Sequence, residues 1–425
     1  MLAIAINEGL IVHHVDISTA FLYGILDEEV YIEPPKGLRK ELKSDEVLKL
    51  NKALYGLKQA SRSWIKTIVA FFNELNLKQL QTDNCIFINK WLIVAIYVDD
   101  IVIIGKDELI IEKFKQCISS KFKTKDLGRL NLILGLQVEY KDSNTLIIHQ
   151  KNYIDKIIKT FDLYDTKSVD IPLQPNQYIT DELVDKNEQL REFINSNKYK
   201  KAIGMLIYLM VGTRPDICYT VSVLSRYMQN PRELHWRFVK KLLKYVKTTK
   251  DFCLVYTKNK SSDSELIGYS DADYAGSVED RRSTSGYVFT FMNCLVTWNS
   301  GKQKTVSLSS TEAEYIALTT AVKEAIWLRQ LLMELNRNQE EVKIFCDNKS
   351  TICLTKNPEF HARTKHIDIR HHFIKEKINE KLIKVEYVST EDMLADIFTK
   401  AVPRIKHYRA LELLALKNLT GQITG

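Results

Sequence analysis

Two adjacent carboxylates, Asp99 and Asp100, interrupt an otherwise apolar stretch. Trp91 to Tyr97 is hydrophobic on one side, and Ile101-Val102-Ile103-Ile104-Gly105 on the other. Both runs are rich in β-branched and aromatic residues, so they predict two strands of a hairpin with Tyr97-Val98-Asp99-Asp100 at its tip. That placement confines the carboxylates to the end of a sheet. Neighbouring carboxylates repel, and burying an unpaired charge costs several kcal/mol. A divalent cation relieves the repulsion; a solvated Asp-Asp turn avoids it. The pair alone leaves both readings open.

A third carboxylate stands in matching surroundings. Gly9-Leu10-Ile11-Val12-His13-His14-Val15-Asp16 reads as a short apolar strand ending in Asp16, followed by Ser18-Thr19-Ala20-Phe21-Leu22-Tyr23-Gly24. An Asp at one strand end beside an Asp pair at a hairpin tip makes a cluster of hard oxygen ligands. Such a cluster suits Mg²⁺, which binds through one or two carboxylates plus substrate phosphates.

Carboxylates recur at strand and helix ends further along. Glu265 to Asp273 is a strand closing on Asp271 and Asp273, and Gly286–Phe291 with Cys294–Trp298 forms the next hairpin. Ser307-Leu308-Ser309-Ser310-Thr311-Glu312-Ala313-Glu314-Tyr315 opens a long helix. Val342–Asp347 is another strand ending in Asp, and Glu391–Asp396 begins a late helix. Asp273 rivals Asp271 as a ligand, and Glu312 rivals Glu314. Glu314 also lies three residues after Thr311, the spacing of a capping box. Asp396 reads equally as a carboxylate near a helix start.

Between these clusters, Ser143-Asn144 predicts a hairpin turn, Asn152–Phe161 an amphipathic helix and Pro172–Asn197 a polar linker. Helices follow over Tyr199–Val211 and Pro215–Met228, split by Gly212-Thr213-Arg214-Pro215. In His235–Lys250, Lys240, Lys244 and Lys247 share a face that either tracks phosphates or is merely solvated. With 425 residues the chain is too long for one core. It is 45% hydrophobic and 27% charged, hence globular. The 61 basic against 53 acidic residues, net +8, suit a polyanion partner. Seven cysteines without a C-x-x-C pair argue against a zinc site or disulfide framework and for a reducing, cytoplasmic compartment. No apolar run reaches the ~18–20 residues of a membrane span, and Met1–Ile6 lacks the basic start of a signal peptide.

Val15–Gly24, then Leu50-Asn51-Lys52-Ala53-Leu54-Tyr55-Gly56-Leu57-Lys58-Gln59-Ala60, then Tyr97–Asp100 resemble, in order, motifs of copia-type retrotransposon reverse transcriptases. The later half resembles the attached ribonuclease H domain, including Arg363–Arg370. Ser61 stands where the family usually has proline. The resemblance covers nearly the whole chain.

Several expectations follow from the resemblance. The fold it implies is α+β: a palm-type polymerase domain with incomplete fingers (1–160), a linker and helical thumb or connection (161–260), an α/β ribonuclease H-like domain with a mixed sheet (261–402) and a tail (403–425). Asp16, Asp99 and Asp100 would hold two Mg²⁺, Asp100 being the least certain direct ligand. Asp271, Glu314, Asp347 and Asp396 would hold two more, with Mn²⁺ as a substitute. Ions roughly 3.5–4 Å apart activate a 3′-hydroxyl or a water and stabilise the leaving group. Phe21 would exclude a 2′-hydroxyl, unless it is simply core. Gly56 would let the backbone approach the templating pair, unless it merely turns the chain; Tyr97 would face the substrate. Partners would be an RNA template, a DNA primer, an RNA–DNA hybrid and deoxynucleoside triphosphates. His361, His366, His371 and His372, mixed with Arg363, Lys365, Arg370 and Lys375, would form a basic surface rather than a zinc site. Only fifteen residues precede Asp16, so the resemblance implies a shortened polymerase beside an intact ribonuclease H module. The alternative is a non-catalytic nucleic-acid-binding remnant.

Overall fold

The hairpin anticipated around the paired aspartates is the centre of a six-stranded antiparallel sheet. Leu92–Tyr97 pairs with Asp100–Gly105 from Leu92↔Gly105 to Tyr97↔Asp100. In a computed structural model, described over residues 1–38, 43, 46–177, 179, 192–259, 265–356 and 368–419, the chain divides into two units. One is Gly9–Leu130; the other combines Met1–Glu8 with Asn131–Gly425.

In the first unit the sheet runs in the order Lys78–Gln79, Ile86–Ile88, Leu92–Tyr97, Asp100–Gly105, Ile11–Ile17, Thr124–Arg129. The strand Ile11–Ile17 pairs with Asp100–Gly105 from Ile11↔Gly105 to Asp16↔Asp100. The helix Ala60–Glu74 buries Ala60, Ser63, Trp64, Ile68, Phe71 and Phe72, a spacing of three and four that gives one apolar stripe. That stripe and Ile111, Phe114 and Ile118 of the helix Glu108–Lys121 cover a sheet face made by Val15, Phe87, Val94, Ile96, Ile101 and Ile103. A separate two-stranded ribbon joins Ile25–Ile32 to Leu48–Lys52.

Among the described residues, the second unit holds two sheets. The first is antiparallel and orders Leu416–Asn418, Phe252–Thr257, Thr145–His149, Leu136–Asp142 and Leu132–Ile133. The Ser143-Asn144 turn is present between its strands. Residues 403–425, expected as a tail, contribute the helix Arg404–Leu413 and this sheet's edge strand. The helices Lys151–Phe161, Ser196–Gly212, Cys218–Ser225 and Glu233–Thr248 share one core with Ile154, Ile157, Leu206, Leu209, Val239, Leu242 and Leu243. Beneath it lies a buried clamp. Arg214 Nε and Nη2 donate to both carboxylate oxygens of Asp216 at 2.9 and 2.6 Å, and Tyr245 Oη donates to Asp216 at 2.7 Å. The lysine face of Glu233–Thr248 is partly committed inside the protein: Lys247 Nζ donates to the Thr166 carbonyl at 3.0 Å, and Lys240 pairs with Glu233 at 3.3 Å.

The other sheet orders Cys294–Lys302, Thr284–Phe291, Leu266–Asp273, Val342–Cys346 and Ile383–Tyr387. Its first three strands are antiparallel, and the last two join in parallel. It is therefore a mixed sheet, with the helix Ser310–Glu334 laid against it and burying Ala313, Ala317, Ala321, Val322 and Ala325. Small residues along that face let helix and sheet approach closely. Most of 178–191 and the stretch 357–367, with His361, His366 and much of the Arg363–Arg370 motif, lie outside the described residues. Among those described, no helix is long and apolar enough to cross a membrane.

Candidate active sites

In the first unit the ladder places Asp16 directly across from Asp100, beside the Val98-Asp99 turn. The turn is pinned from two directions. Ile17 N–H donates to the Asp99 carbonyl at 2.8 Å, and Trp64 Nε1 donates to the Val98 carbonyl at 2.8 Å. Val98 has φ +56°, a left-handed conformation that a β-branched residue adopts only when its surroundings enforce it.

The three carboxylates are held differently. Asp99 Oδ2 accepts from Tyr55 Oη at 2.7 Å, while Oδ1 is shielded from solvent and has no hydrogen-bond partner among the described residues. The Tyr55 hydroxyl is pushed up to about 12, first by burial, then by its bond to Asp99 and the charges of Asp99 and Asp16. Asp16 and Asp99 thus act on one hydroxyl. Asp100 instead lies 2.7 Å from His14 Nε2. The ligand oxygens of the three are not gathered within 4.8 Å of one another. Phe21 stacks obliquely on Tyr55, ring centres 4.6 Å apart, and is only partly buried against the core. Gly56 has φ +100°, a backbone position that favours glycine. Tyr97 is exposed.

The second unit brings together Asp271, at the end of Leu266–Asp273, Glu314, in the first turns of Ser310–Glu334, and Asp347, just past Val342–Cys346. One oxygen from each lies within 4.8 Å of the other two. Asp271 and Glu314 are buried. Burial raises the Asp271 carboxyl to about 7, opposed by Lys400 and the Thr399 bond and added to by the charges of Asp396 and Asp347. Burial and then the charges of Asp271 and Asp347 raise Glu314 to about 9. Glu314 Oε2 is enclosed and has no hydrogen-bond partner among the described residues. Three crowded carboxylates, one oxygen orphaned, form an all-oxygen donor set of the kind a hard dication fits.

Asp396 is fully buried in the short 3₁₀ turn Leu394–Phe398 rather than at the start of a longer helix. The segment is buried on every side, so no amphipathic stripe extends it. Its carboxylate pairs with Lys400 Nζ at 2.7 Å and with Lys406, and Lys400 reaches Asp271 Oδ2 at 3.7 Å. Asp396 borders the trio without joining its ligand cluster.

Both rivals are resolved locally. Ser309 Oγ accepts from Glu312 N–H at 3.1 Å, and Glu312 Oε2 accepts from Leu308 N–H at 2.7 Å, so Glu312 caps the helix. The N-cap is thus Ser309, bonded to Glu312 N–H, and not Thr311 with Glu314. Asp273 lies outside the cluster, its carboxylate folded over Gly276, where an added Cβ would sit 1.9 Å from Oδ2. Sequence reasoning missed His14, Tyr55, Thr399 and Lys400. Thr399 donates to Asp271, and Thr390 to Asp347 at 2.8 Å. Only Lys400 carried a signal, its four-residue spacing from Asp396.

Residues 1–175 match the family described as reverse transcriptase (RNA-dependent DNA polymerase). The chain is 40% identical over 422 residues to "Retrovirus-related Pol polyprotein from transposon TNT 1-94" of Nicotiana tabacum, covering 98% of this chain and 32% of that protein. It is 34% identical over 413 residues to "Retrovirus-related Pol polyprotein from transposon RE1" of Arabidopsis thaliana, covering 95% and 27%. It therefore spans a third or less of the length of these relatives. Among solved structures, a foamy viral protease-reverse transcriptase in complex with dsDNA superposes with a TM-score of 0.51 at 11% identity, covering 91% of this chain and 70% of that one. The likeness is one of fold.

Proposed function

From a chain whose residues 1–175 belong to the reverse transcriptase family, and which is a relative of copia-type transposon Pol polyproteins along nearly its full length, we propose RNA-directed DNA synthesis joined to ribonuclease H cleavage. The observation that supports this is that carboxylates distant in sequence are brought together twice, Asp16 across the ladder from Asp100 beside Asp99, and Asp271, Glu314 and Asp347 with their oxygens gathered. We assign a palm-type polymerase to 1–160, a helical thumb and connection to 161–260, and hydrolysis to 261–402, in a reducing, intracellular setting.

In the polymerase site Asp16 and Asp99 would hold Mg²⁺, with Asp100 kept in line by His14. Bound dications supply Lewis-acid stabilisation of the attacking and leaving oxygens. The pinned turn fixes Asp99 before substrate arrives, which limits reorganisation during reaction. Tyr55 must give up its bond to Asp99 Oδ2 for that oxygen to serve as a ligand. Phe21, beside Tyr55, would lie under the sugar of an incoming deoxynucleotide and exclude a 2′-hydroxyl. In the nuclease site Asp271, Glu314 and Asp347 would hold the metal against the scissile phosphate of an RNA strand paired with DNA. Lys400 and Lys406 neutralise Asp396 there, and Thr399 and Thr390 orient Asp271 and Asp347.

The test is primer extension on an RNA template beside hydrolysis of a labelled RNA–DNA hybrid, both in Mg²⁺. Asp99→Asn removes extension and spares cleavage; Asp347→Asn does the reverse, with hybrid binding retained because Lys and Arg contacts to phosphate dominate affinity. Hybrid binding without turnover in either assay replaces this reading with that of a binding remnant.

A further inference from the structure

The strand that carries Asp16 presents a second group of ligating atoms to the helix behind it. Neighbouring residues on a strand alternate faces. His14 meets Asp100, whereas His13 meets the helix Glu108–Lys121. Glu108 and Glu112 stand one turn apart on that helix, so both carboxylates reach the same imidazole. His13 Nε2 lies 3.1 Å from Glu108 Oε1, and Nδ1 lies 3.9 Å from Glu112 Oε1. One ligand atom from each of the three residues lies within 4.8 Å of the other two. His13 is 8% exposed, and its enclosed Nδ1 has no hydrogen-bond partner among the described residues.

A neutral imidazole has one N–H, so it can donate to only one of the two carboxylates that face its nitrogens. The other nitrogen then points a lone pair towards like charge, an arrangement a cation between them would relieve. The surrounding charge has the same sign. Lys115 Nζ reaches Glu112 Oε1, the oxygen that faces His13 Nδ1, at 2.7 Å and Asp126 at 3.0 Å, so Glu112 would offer a metal its other oxygen. The three carboxylates Glu108, Glu112 and Asp126 against this one ammonium leave a formal charge of −2 with His13 counted neutral.

We infer that His13, Glu108 and Glu112 form a binding site for a borderline transition-metal dication of the Zn²⁺ or Co²⁺ class. The imidazole ligand sets it apart from the all-oxygen sites, since imidazole suits Zn²⁺ and its neighbours whereas Mg²⁺ takes oxygen. Three protein ligands leave a position for water. A metal there fastens the helix Glu108–Lys121 to the strand Ile11–Ile17, whose far end carries Asp16. The site needs neither polymerase nor nuclease activity and stands independently of both.

The test is titration of the chelator-stripped full chain with Co²⁺ in excess Mg²⁺, which fills sites made only of oxygen. The visible d–d absorbance and the number of tight equivalents are read. The wild-type chain is expected to take up one equivalent that Glu108→Gln and His13→Gln both lack. Glu108→Gln alters a largely solvent-facing side chain, so retained far-ultraviolet dichroism and an unchanged melting temperature in chelator certify its fold. Zn²⁺ should raise the melting temperature of the wild type and leave that of Glu108→Gln unmoved. Equal stoichiometry and equal Zn²⁺ response in wild type and Glu108→Gln overturn the site and leave His13 as a hydrogen-bonded core histidine.

Discussion

Replacing Glu314 by Gln should stabilise the metal-free protein at pH 8 and remove its stabilisation by Mg²⁺. Glu314 is buried among Asp271 and Asp347, and its carboxyl is raised from 4.5 to about 9. At ~1.4 kcal/mol for each tenfold change in acidity, holding a proton on it at pH 8 costs up to about 5 kcal/mol. Asp271 titrates together with Glu314, so that figure belongs to the crowded pair rather than to Glu314 alone. The sign follows from the direction of the shift. Folding raises the proton affinity of Glu314, so its contribution is fully present below pH 4.5 and is lost as the pH climbs through 9. Glutamine keeps the size and a neutral side chain, and has nothing to lose over that range. Urea melts in chelator at pH 6, 7 and 8 should therefore show the wild type weakening relative to Glu314→Gln. Adding Mg²⁺ should restore the wild type through mass action and do little for the variant. A variant less stable than wild type in chelator at pH 8, or one that gains as much from Mg²⁺, would refute the crowded-carboxylate account.

Phe21→Ala should relax sugar selection by ~10–200-fold, the range one steric contact in a pocket supplies, read as the ratio of deoxynucleotide to ribonucleotide incorporation in primer extension; an unchanged ratio returns Phe21 to core packing. Gly56→Ala forces an L side chain into φ +100°, so melting should show a loss of ~1–3 kcal/mol, and no loss would mean the loop re-forms freely. Arg214→Ala leaves the buried Asp216 charge without its ionic partner and held by the Tyr245 hydroxyl, and denaturant unfolding should report a cost of ~3–5 kcal/mol; simultaneous replacement of Arg214 and Asp216 by apolar residues should recover much of it.

What was legible in the sequence is what short-range pattern controls. The β-branched runs on either side of Asp99-Asp100 could bury themselves only as adjacent strands, and the turn between them then had nowhere to go but the sheet's end. The strand endings at Asp271 and Asp347 and the long helix after Ser309 were legible for the same reason. The N-cap of that helix was left open because Ser309-Ser310-Thr311-Glu312-Ala313-Glu314 offers two overlapping capping pairs, Ser309 with Glu312 and Thr311 with Glu314. Choosing between them depends on Leu308, whose N–H Glu312 satisfies, and on the burial of Glu314 against the sheet. Pairing of Thr145–His149 with Phe252–Thr257, and of that strand with Leu416–Asn418, joins segments more than a hundred residues apart and leaves no local trace.

Charge separates the carboxylates that are free for a metal from those already paired inside the protein. Each candidate site carries an acid already partnered inside the protein, Asp100 within hydrogen-bonding distance of His14 and Asp396 paired with Lys400 and Lys406. Around Asp271 the four carboxylates Asp271, Glu314, Asp347 and Asp396 against Lys400 and Lys406 leave a formal −2, which one dication would neutralise. A second dication then finds no uncompensated charge on the protein alone. It gains that charge only when a phosphate enters, which is how Mg²⁺ is usually held, by one or two carboxylates together with the substrate. On the proposed nuclease reading, Lys400 and Lys406, by pairing with Asp396, would tie full metal loading to the presence of a nucleic-acid phosphate.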